Sequence, residues 1–320
     1  MDKTEPIIPV FKDTKSSIVL ACNDDYAPFV AATILSIINT SNINNNYDII
    51  VLSRDISINN KNLIYRLVDN KHNFSIRFYN VDSIMSKYVL NNYLSRISVD
   101  GYYRLLIPYI LNGYTKALYL DCDLIVLDDI YDLINIDLTG YLLAAAQEYY
   151  WNIATARNPE RSITKVNLLN RHQRFNSGVL LYNLETTQDY FSYEILLEYA
   201  MKNDYFAGDE DILNKYYNDK TYILHPKFNV WNRSFGMSTV KKYDSLQTYQ
   251  KYLEAHNSPK IIHYMTELKP WYYPSIEKSS YYWNTIRGTE LYNLALQAQI
   301  LNIQKNYPRR LLTDILEKVI

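Results

Sequence analysis

Read from its N-terminus, the chain alternates short, nearly unbroken apolar runs with stretches whose apolar residues recur every three or four positions. After a loose arm over residues 1–16, "SSIVLACNDDY" reads as a buried strand ending in a polar cluster. "APFVAATILSIINT" follows, with Val30, Ile34, Ile37 and Ile38 at helical spacing. "YDIIVLS" predicts a second strand, "NKNLIYRLVDN" a helix, "FSIRFYNV" a third strand, and "SVDGYYRLLIPYILN" a helix kinked at Pro108. "TKALYLDCDLIVL" predicts one continuous fourth strand. Beyond it, "YLLAAAQEYY", "RFNSGVLLYNL", "TYILHPKFNVW" and "KIIHYM" read as strands, and "GDEDILNKYYN" as the start of a helix with acids in its first turn. Strands that are apolar on both faces and alternate with helices predict an α/β fold, with a Rossmann-like, mostly parallel central sheet covered by helices on both faces. Ligands of such sheets lie beyond the carboxyl ends of the strands. "ACNDDY" and "DCD" both fall at such ends, so two polar clusters far apart in sequence are expected to share one crevice.

The pattern changes near Ser279. "ELYNLALQAQILNIQ" places Leu291, Leu294, Ala298 and Leu301 on one helical face, and "RRLLTDILEKVI" after Pro308 repeats the pattern with Leu312, Ile315, Leu316 and Val319. Residues 279–320 therefore read as a helical C-terminal extension to a domain over 17–278. The chain ends at Ile320 inside this pattern without a capping residue, as a segment truncated from a longer protein would. Arg309, Arg310 and Lys318 beside an apolar face suit peripheral contact with an anionic membrane. Packing on the same domain or on a partner subunit is the other reading of that face.

Composition narrows the classes. A chain of 320 residues, 48% hydrophobic and 21% charged, can bury one large core. Its formal net charge of −1 lacks the basic excess of a nucleic-acid binder, so no nucleic-acid partner is expected. Two cysteines, Cys22 and Cys122, form no disulfide framework and suit a reducing compartment. The N-terminus lacks a signal-peptide core, and no apolar run approaches the roughly 18 residues of a spanning helix. The expected location is cytoplasmic, or peripheral to the inner face of the membrane. The 33 tyrosines are first read as a biased composition, with contact with sugar rings as the alternative.

The chemistry centres on Asp121 and Asp123. In extended backbone residues i and i+2 point the same way, so both carboxylates can reach one site, where a divalent cation relieves their repulsion. Oxygen ligands suit Mg²⁺ or Mn²⁺. A pair of solvated loop acids fits the same spacing. His263, at the end of "KIIH", can complete a metal site and shifts the preference to Mn²⁺, while Lys269 can meet a phosphate as a point charge.

Taken in order, "ACNDDYAP", "GYYRL", "LYLDCDLIV", "FNSGVLLYNL", "GDEDILN" and "HYMTELKPW" resemble glycosyltransferase family 8 over roughly residues 17–273. These are retaining enzymes of the GT-A fold that include lipopolysaccharide galactosyl- and glucosyltransferases and glycogenin. The resemblance implies a metal-dependent hexosyltransferase moving glucose or galactose from UDP-glucose or UDP-galactose to a cell-surface glycan, lipid-linked or glycoprotein acceptor. It implies that Asp121, Asp123 and His263 bind Mn²⁺, with Mg²⁺ as the alternative ion. Tyr26 would stack on uracil, Ala21 and Asn23 would contact its edge, and the Cys122 backbone would reach the ribose. Cys22 and Asp25 belong to the same donor-binding set. Arg104 and Asn176 would reach the donor sugar or phosphates, Asp209 the sugar hydroxyls, and Lys269 would close over the diphosphate.

Three positions depart from the family pattern. Asn23 stands where many relatives carry Asp, Thr266 replaces the usual Gly before "KPW", and Glu210 stands where galactosyltransferases carry Gln. With Asp209, Glu210 is the expected catalytic residue, because an oxocarbenium-like sugar needs a negative group nearby. A helix-start acid favoured by the helix dipole explains Glu210 equally. Two other classes compete with this reading. A nucleotidyltransferase acting on sugar phosphates would usually carry a Gly-rich basic loop, which "ACNDDYAP" is not. A catalytically silent nucleotide-sugar-binding module would not need the acids at 121, 123 and 209 together with His263 and Lys269.

Overall fold

The computed structural model describes residues 7–90, 98–148, 174–202, 208–233 and 237–306. Among the described residues, seven strands form the central sheet: β1 Ser16–Ala21, β2 Tyr47–Ser53, β3 Phe74–Asn80, β4 Lys116–Leu120, β6 Leu143–Gln147, β7 Phe175–Asn183 and β8 Thr221–Leu224. Their spatial order is β3-β2-β1-β4-β7-β6-β8. β7 pairs antiparallel with both β4 and β6, and the other ladders are parallel, so β7 alone runs against the rest. The expected mostly parallel α/β sheet is therefore present. A second sheet of three strands, in the order β5-β10-β9, was not expected. It joins β5 Leu124–Val126, β9 Val230–Trp231 and β10 Ile261–His263.

Alternation along each central strand splits the core into two layers. Ile18, Leu20, Ile49, Val51, Leu118 and Leu120 face one layer, with the Ala27–Thr40 helix. Val19, Ala21, Ile50, Leu52, Ala117 and Tyr119 face the other, with the Asp209–Tyr217 helix. Because β1, β2 and β4 are buried on both sides, their sequences show continuous apolar runs. The Ala27–Thr40 helix carries a proline in its first turn, where the missing N–H costs nothing.

Two expected elements are interrupted. "TKALYLDCDLIVL" is two strands in two sheets, with residues 121–123 as the turn between them. Both halves are apolar, so periodicity could not reveal the break. "SVDGYYRLLIPYILN" is a 3₁₀ segment over Val99–Leu106 followed by a short helix over Ile107–Ile110. Pro108 opens the second piece instead of kinking a longer one. "TYILHPKFNVW" likewise divides into β8, a 3₁₀ turn at Pro226–Phe228, and β9.

Before β1, Ile7 bridges to Leu111, and the Val10 N–H donates to buried Asp48, so the described part of the N-terminal segment lies against the domain. At the other end, helices Ser279–Ile286 and Glu290–Asn306 bury Tyr282, Ile286, Leu291 and Ala295 in the layer that holds the Ala27–Thr40 helix. Leu294 and Ala298 pack against that layer, whereas Leu301 is 64% exposed. Residues 307–320, with Arg309, Arg310 and Lys318, lie outside the described residues. Among the described residues no helix is long and apolar enough to cross a membrane.

Asn214 ties the Asp209–Tyr217 helix to the start of β7. It is fully buried, accepts the Phe175 N–H at 2.9 Å, and donates to the Phe175 carbonyl at 2.8 Å. Asn214→Ala strands both backbone groups of Phe175, which at roughly 1–3 kcal/mol per buried unpaired group gives an expected loss of about 2–6 kcal/mol. Urea unfolding followed by far-UV circular dichroism measures it. A loss below about 1 kcal/mol would mean that the helix is held elsewhere.

Candidate active site

Parallel pairing of β1 with β4, with Val19 opposite Tyr119, brings both carboxyl ends to one edge of the sheet. "ACNDDY" and "DCD" therefore lie side by side at that edge. The Asp121–Asp123 turn is held from behind by the Ala27–Thr40 helix. Thr33 Oγ1 donates to the carbonyls of Leu124 at 2.9 Å and Cys122 at 3.2 Å, and Ser36 Oγ accepts the Val126 N–H at 2.9 Å. The two acids thus converge through a buttressed turn, which corrects the expectation that they share one face of an extended strand. β10 pairs with β5 so that His263 lies opposite Leu124, next to Asp123 in sequence.

Asp121, Asp123 and His263 each present a ligand atom within 4.8 Å of the others. His263 Nε2 stands 3.1 Å from Asp123 Oδ1 and 3.5 Å from Asp121 Oδ2. Asp123 Oδ1 is buried and receives no hydrogen bond. The outer oxygens are occupied. Asp121 Oδ1 takes Arg104 Nη2 at 2.9 Å and the Tyr119 hydroxyl at 2.7 Å, while Lys269 Nζ donates to Asp123 Oδ2 and to the Tyr264 carbonyl at 2.6 Å. Burial raises the Asp123 pKa, but the Lys269 ammonium overrides it and holds the carboxyl well below its ordinary range. The inward-facing oxygens of two acids and one imidazole nitrogen form a donor set that fits a small hard or borderline cation. Backbone closes the cradle. A Cβ on Gly178 would stand 2.2 Å from His263 Cε1 and 2.7 Å from Asp121 Oδ2, so this strand position requires glycine.

Arg104 organises the next group. Its Nε meets Asp209 at 3.0 Å and the Gly101 carbonyl at 2.8 Å, its Nη1 meets Ser177 Oγ at 2.8 Å, and its guanidinium lies 4.5 Å over the Tyr119 ring. Burial pushes Asp209 up to about 7, with Arg104 opposing and Asp121 and Glu210 reinforcing the shift. Glu210 is also raised by burial, against the pull of Arg174. Its Oε1 takes Arg174 Nη2 at 2.7 Å, and its Oε2 takes Asn176 Nδ2 at 3.0 Å. The Asp209–Tyr217 helix starts at Gly208, whose combination of φ 56° and ψ −121° only glycine adopts without strain.

The residues expected for the nucleotide are less uniformly gathered. Ala21 and Cys22 are buried at the end of β1, and Cys122 is half-buried in the Asp121–Asp123 turn. Asn23 donates to Asp100 at 2.8 Å and accepts the Tyr26 N–H at 3.0 Å, which leaves its carbonyl oxygen one lone pair. Tyr26 is half-buried, edge-on to Phe29 and Trp271. Asp25 is exposed on the turn, apart from the Arg104 network. Sequence reasoning missed Tyr119, Ser177, Gly178, Arg174 and Asn229. Only Gly178 carried a signal, as a lone glycine inside an apolar strand.

Residues 17–274 match the profile of Glycosyl transferase family 8. The chain belongs to glycosyl transferase family 8. It is 27% identical over 268 residues to General stress protein A of Bacillus subtilis, covering 81% of this chain and 88% of that protein. Glycosyltransferase GlyF of Streptococcus pneumoniae is 27% identical over 292 residues, covering 90% of this chain and 65% of GlyF. Among solved structures, the apo form of the bifunctional glycosyltransferase WbbM superposes with a TM-score of 0.80 at 26% identity, over 93% of this chain and 54% of that one. The chain therefore spans less than two thirds of GlyF and of WbbM. The fold is GT-A, as the family 8 resemblance implied.

Gly178→Ala tests the cradle. The added methyl must displace His263 or Asp121, so calorimetric Mn²⁺ affinity is expected to fall at least about tenfold, with overpacking costing about 1–3 kcal/mol of stability. Unchanged Mn²⁺ affinity in a folded variant would show that these side chains do not form the site.

Proposed function

We propose that this family 8 protein is a Mn²⁺-dependent retaining hexosyltransferase. It takes glucose or galactose from UDP-glucose or UDP-galactose and delivers it to a cell-surface glycan, lipid-linked or glycoprotein acceptor. The observation that carries this reading is the convergence of Asp121, Asp123 and His263 beside Lys269, with the buried Asp123 Oδ1 receiving no hydrogen bond. Mn²⁺, or Mg²⁺ in its place, would be held by those three residues and would neutralise the diphosphate of the departing UDP.

The chain's own residues supply the rest. Lys269 already faces this pole of the site and brings a positive charge to the diphosphate as a mobile point charge. Arg104 clamps Asp121 on one side and Asp209 on the other, so the metal-side acid and the sugar-side acid keep a fixed separation. Asp209 accepts from the donor sugar's hydroxyls. Tyr26, Ala21 and Asn23 meet the uracil, and the Cys122 backbone meets the ribose. During transfer the bond from the anomeric carbon to the diphosphate oxygen breaks. The acceptor oxygen bonds to the same face, and its proton leaves with the diphosphate. Positive charge builds on the ring, and Glu210 opposes it. Both carboxylate oxygens of Glu210 are hydrogen-bonded, which favours electrostatic stabilisation over nucleophilic attack.

UDP release in the presence of Mn²⁺ and each UDP-hexose tests the proposal, with EDTA expected to abolish it. UDP-sugar formed from UTP and a sugar phosphate would indicate a nucleotidyltransferase instead. UDP and Mn²⁺ binding without turnover on any acceptor would indicate a binding module. Within the reading, Glu210→Gln is expected to lower kcat roughly 10- to 1000-fold, or about 1.4–4 kcal/mol, with UDP affinity nearly unchanged. A unit charge pair about 4 Å apart at an effective dielectric near 20 is worth about 4 kcal/mol, which sets the upper end. Equal kcat values for the parent and the variant would reduce Glu210 to a helix-start acid.

A further inference from the structure

A chain of hydrogen bonds leads from His263 to Glu210 through two buried asparagines. His263 Nδ1 meets Asn229 Oδ1 at 2.9 Å, Asn229 Nδ2 donates to Asn176 Oδ1 at 2.8 Å, and Asn176 Nδ2 donates to Glu210 Oε2 at 3.0 Å. Either amide taken alone could be turned end for end. One backbone contact removes the ambiguity. The Gly178 N–H can only donate, and it donates to Asn176 Oδ1 at 3.0 Å. Asn176 must therefore present its NH₂ to Glu210 and its oxygen to Asn229. Asn229 must then donate with its own NH₂, which turns its oxygen toward His263. An oxygen there requires a proton on Nδ1. In the neutral ring Nε2 is left with its lone pair, facing Asp121 and Asp123.

From this we infer that Asn229 is a positioning residue that selects the Nδ1–H tautomer of His263, with its direction set by the Gly178 backbone through Asn176. The consequence is local and specific. A proton on Nε2 would fill the space between the two acids and give Asp123 Oδ1 a donor. A lone pair there leaves three acceptors facing one point, an arrangement that only a cation satisfies. Asn176, expected to touch the donor, has both ends of its amide committed inside the protein. It joins the His263 pole of the site to the Glu210 pole.

The role in metal binding rests on the proposed function, but the tautomer can be read without metal. Protein labelled with ¹⁵N-histidine, in buffer free of divalent ions at pH 9, reports the proton on each ring nitrogen through long-range ¹H–¹⁵N correlations. The chain has 5 histidines, and His263→Gln assigns the signal. The parent is expected to carry its proton on Nδ1. Asn229→Leu, close in shape but without an acceptor, is expected to move at least half of the population to Nε2–H. Asn229→Asp retains an acceptor and is expected to keep Nδ1–H. A proton on Nε2 in the parent, as the other tautomer or as imidazolium, overturns the inference, and so does an Asn229→Leu ring identical to the parent's.

Mn²⁺ titration by calorimetry forms the second arm. Asn229→Leu is expected to bind roughly 10- to 100-fold more weakly, the usual effect of losing such a partner. Asn229→Asp is expected to bind within threefold of the parent or tighter. If Asn229→Leu fails to fold, the Asn229→Asp ring decides the matter: Nδ1–H supports the inference and Nε2–H overturns it. A parent that binds no Mn²⁺ would remove the proposed metal chemistry, while the tautomer would still judge the role of Asn229.

Discussion

The crowding of like charge at the end of β4 is the constraint on which the rest of this structure depends. Asp121 and Asp123 approach the same point, and His263 adds a third acceptor. Nothing apolar can fill that space, and burial makes each charge more costly than it would be in water. The molecule answers with cations on the outer sides. Arg104 takes the far oxygen of Asp121, and Lys269 takes the far oxygen of Asp123. The inner sides stay open. Most of the unusual local features can be traced to this arrangement: the glycine in β7, the guanidinium over an aromatic ring, and the buried amides behind the imidazole.

The fold supplies rigidity where that charge is held. The turn between β4 and β5 leaves one sheet for another, so it cannot be braced by ladder hydrogen bonds alone. Thr33 and Ser36 brace it from the Ala27–Thr40 helix. β10 then sets His263 against the turn, and β7 brings Gly178 close enough to limit any movement of the ring. Glu210 and Asp209 come from a helix that Asn214 stitches to the start of the same β7. A single antiparallel strand thereby carries both poles of the candidate site.

Much of this was legible in the sequence, for identifiable reasons. β1 and β2 are covered on both faces, so their apolar runs mark them directly. The acids at the carboxyl ends of β1 and β4 mark a ligand edge, and ordered motifs over the domain mark the family. Less legible was anything decided by contacts between distant segments. The break at residues 121–123 is hidden because β5 is as apolar as β4, and the three-stranded sheet is made of pieces too short to show a period. Asn229 lies in "KFNVW" with no local feature to distinguish it, and its importance comes from His263, Asn176 and Gly178. The acceptor surface is likewise a matter of shape, which a linear pattern does not encode.

If three acceptors face one point because a cation belongs there, the ion itself is the decisive observation. Crystals grown with Mn²⁺ and UDP, measured on both sides of the manganese absorption edge, locate it directly. The account predicts an anomalous peak at coordination distance from Asp121, Asp123 and His263 Nε2, with Lys269 moved from Asp123 to the diphosphate. UDP bound in the crevice with no peak at that point, and with Lys269 still on Asp123, would contradict it.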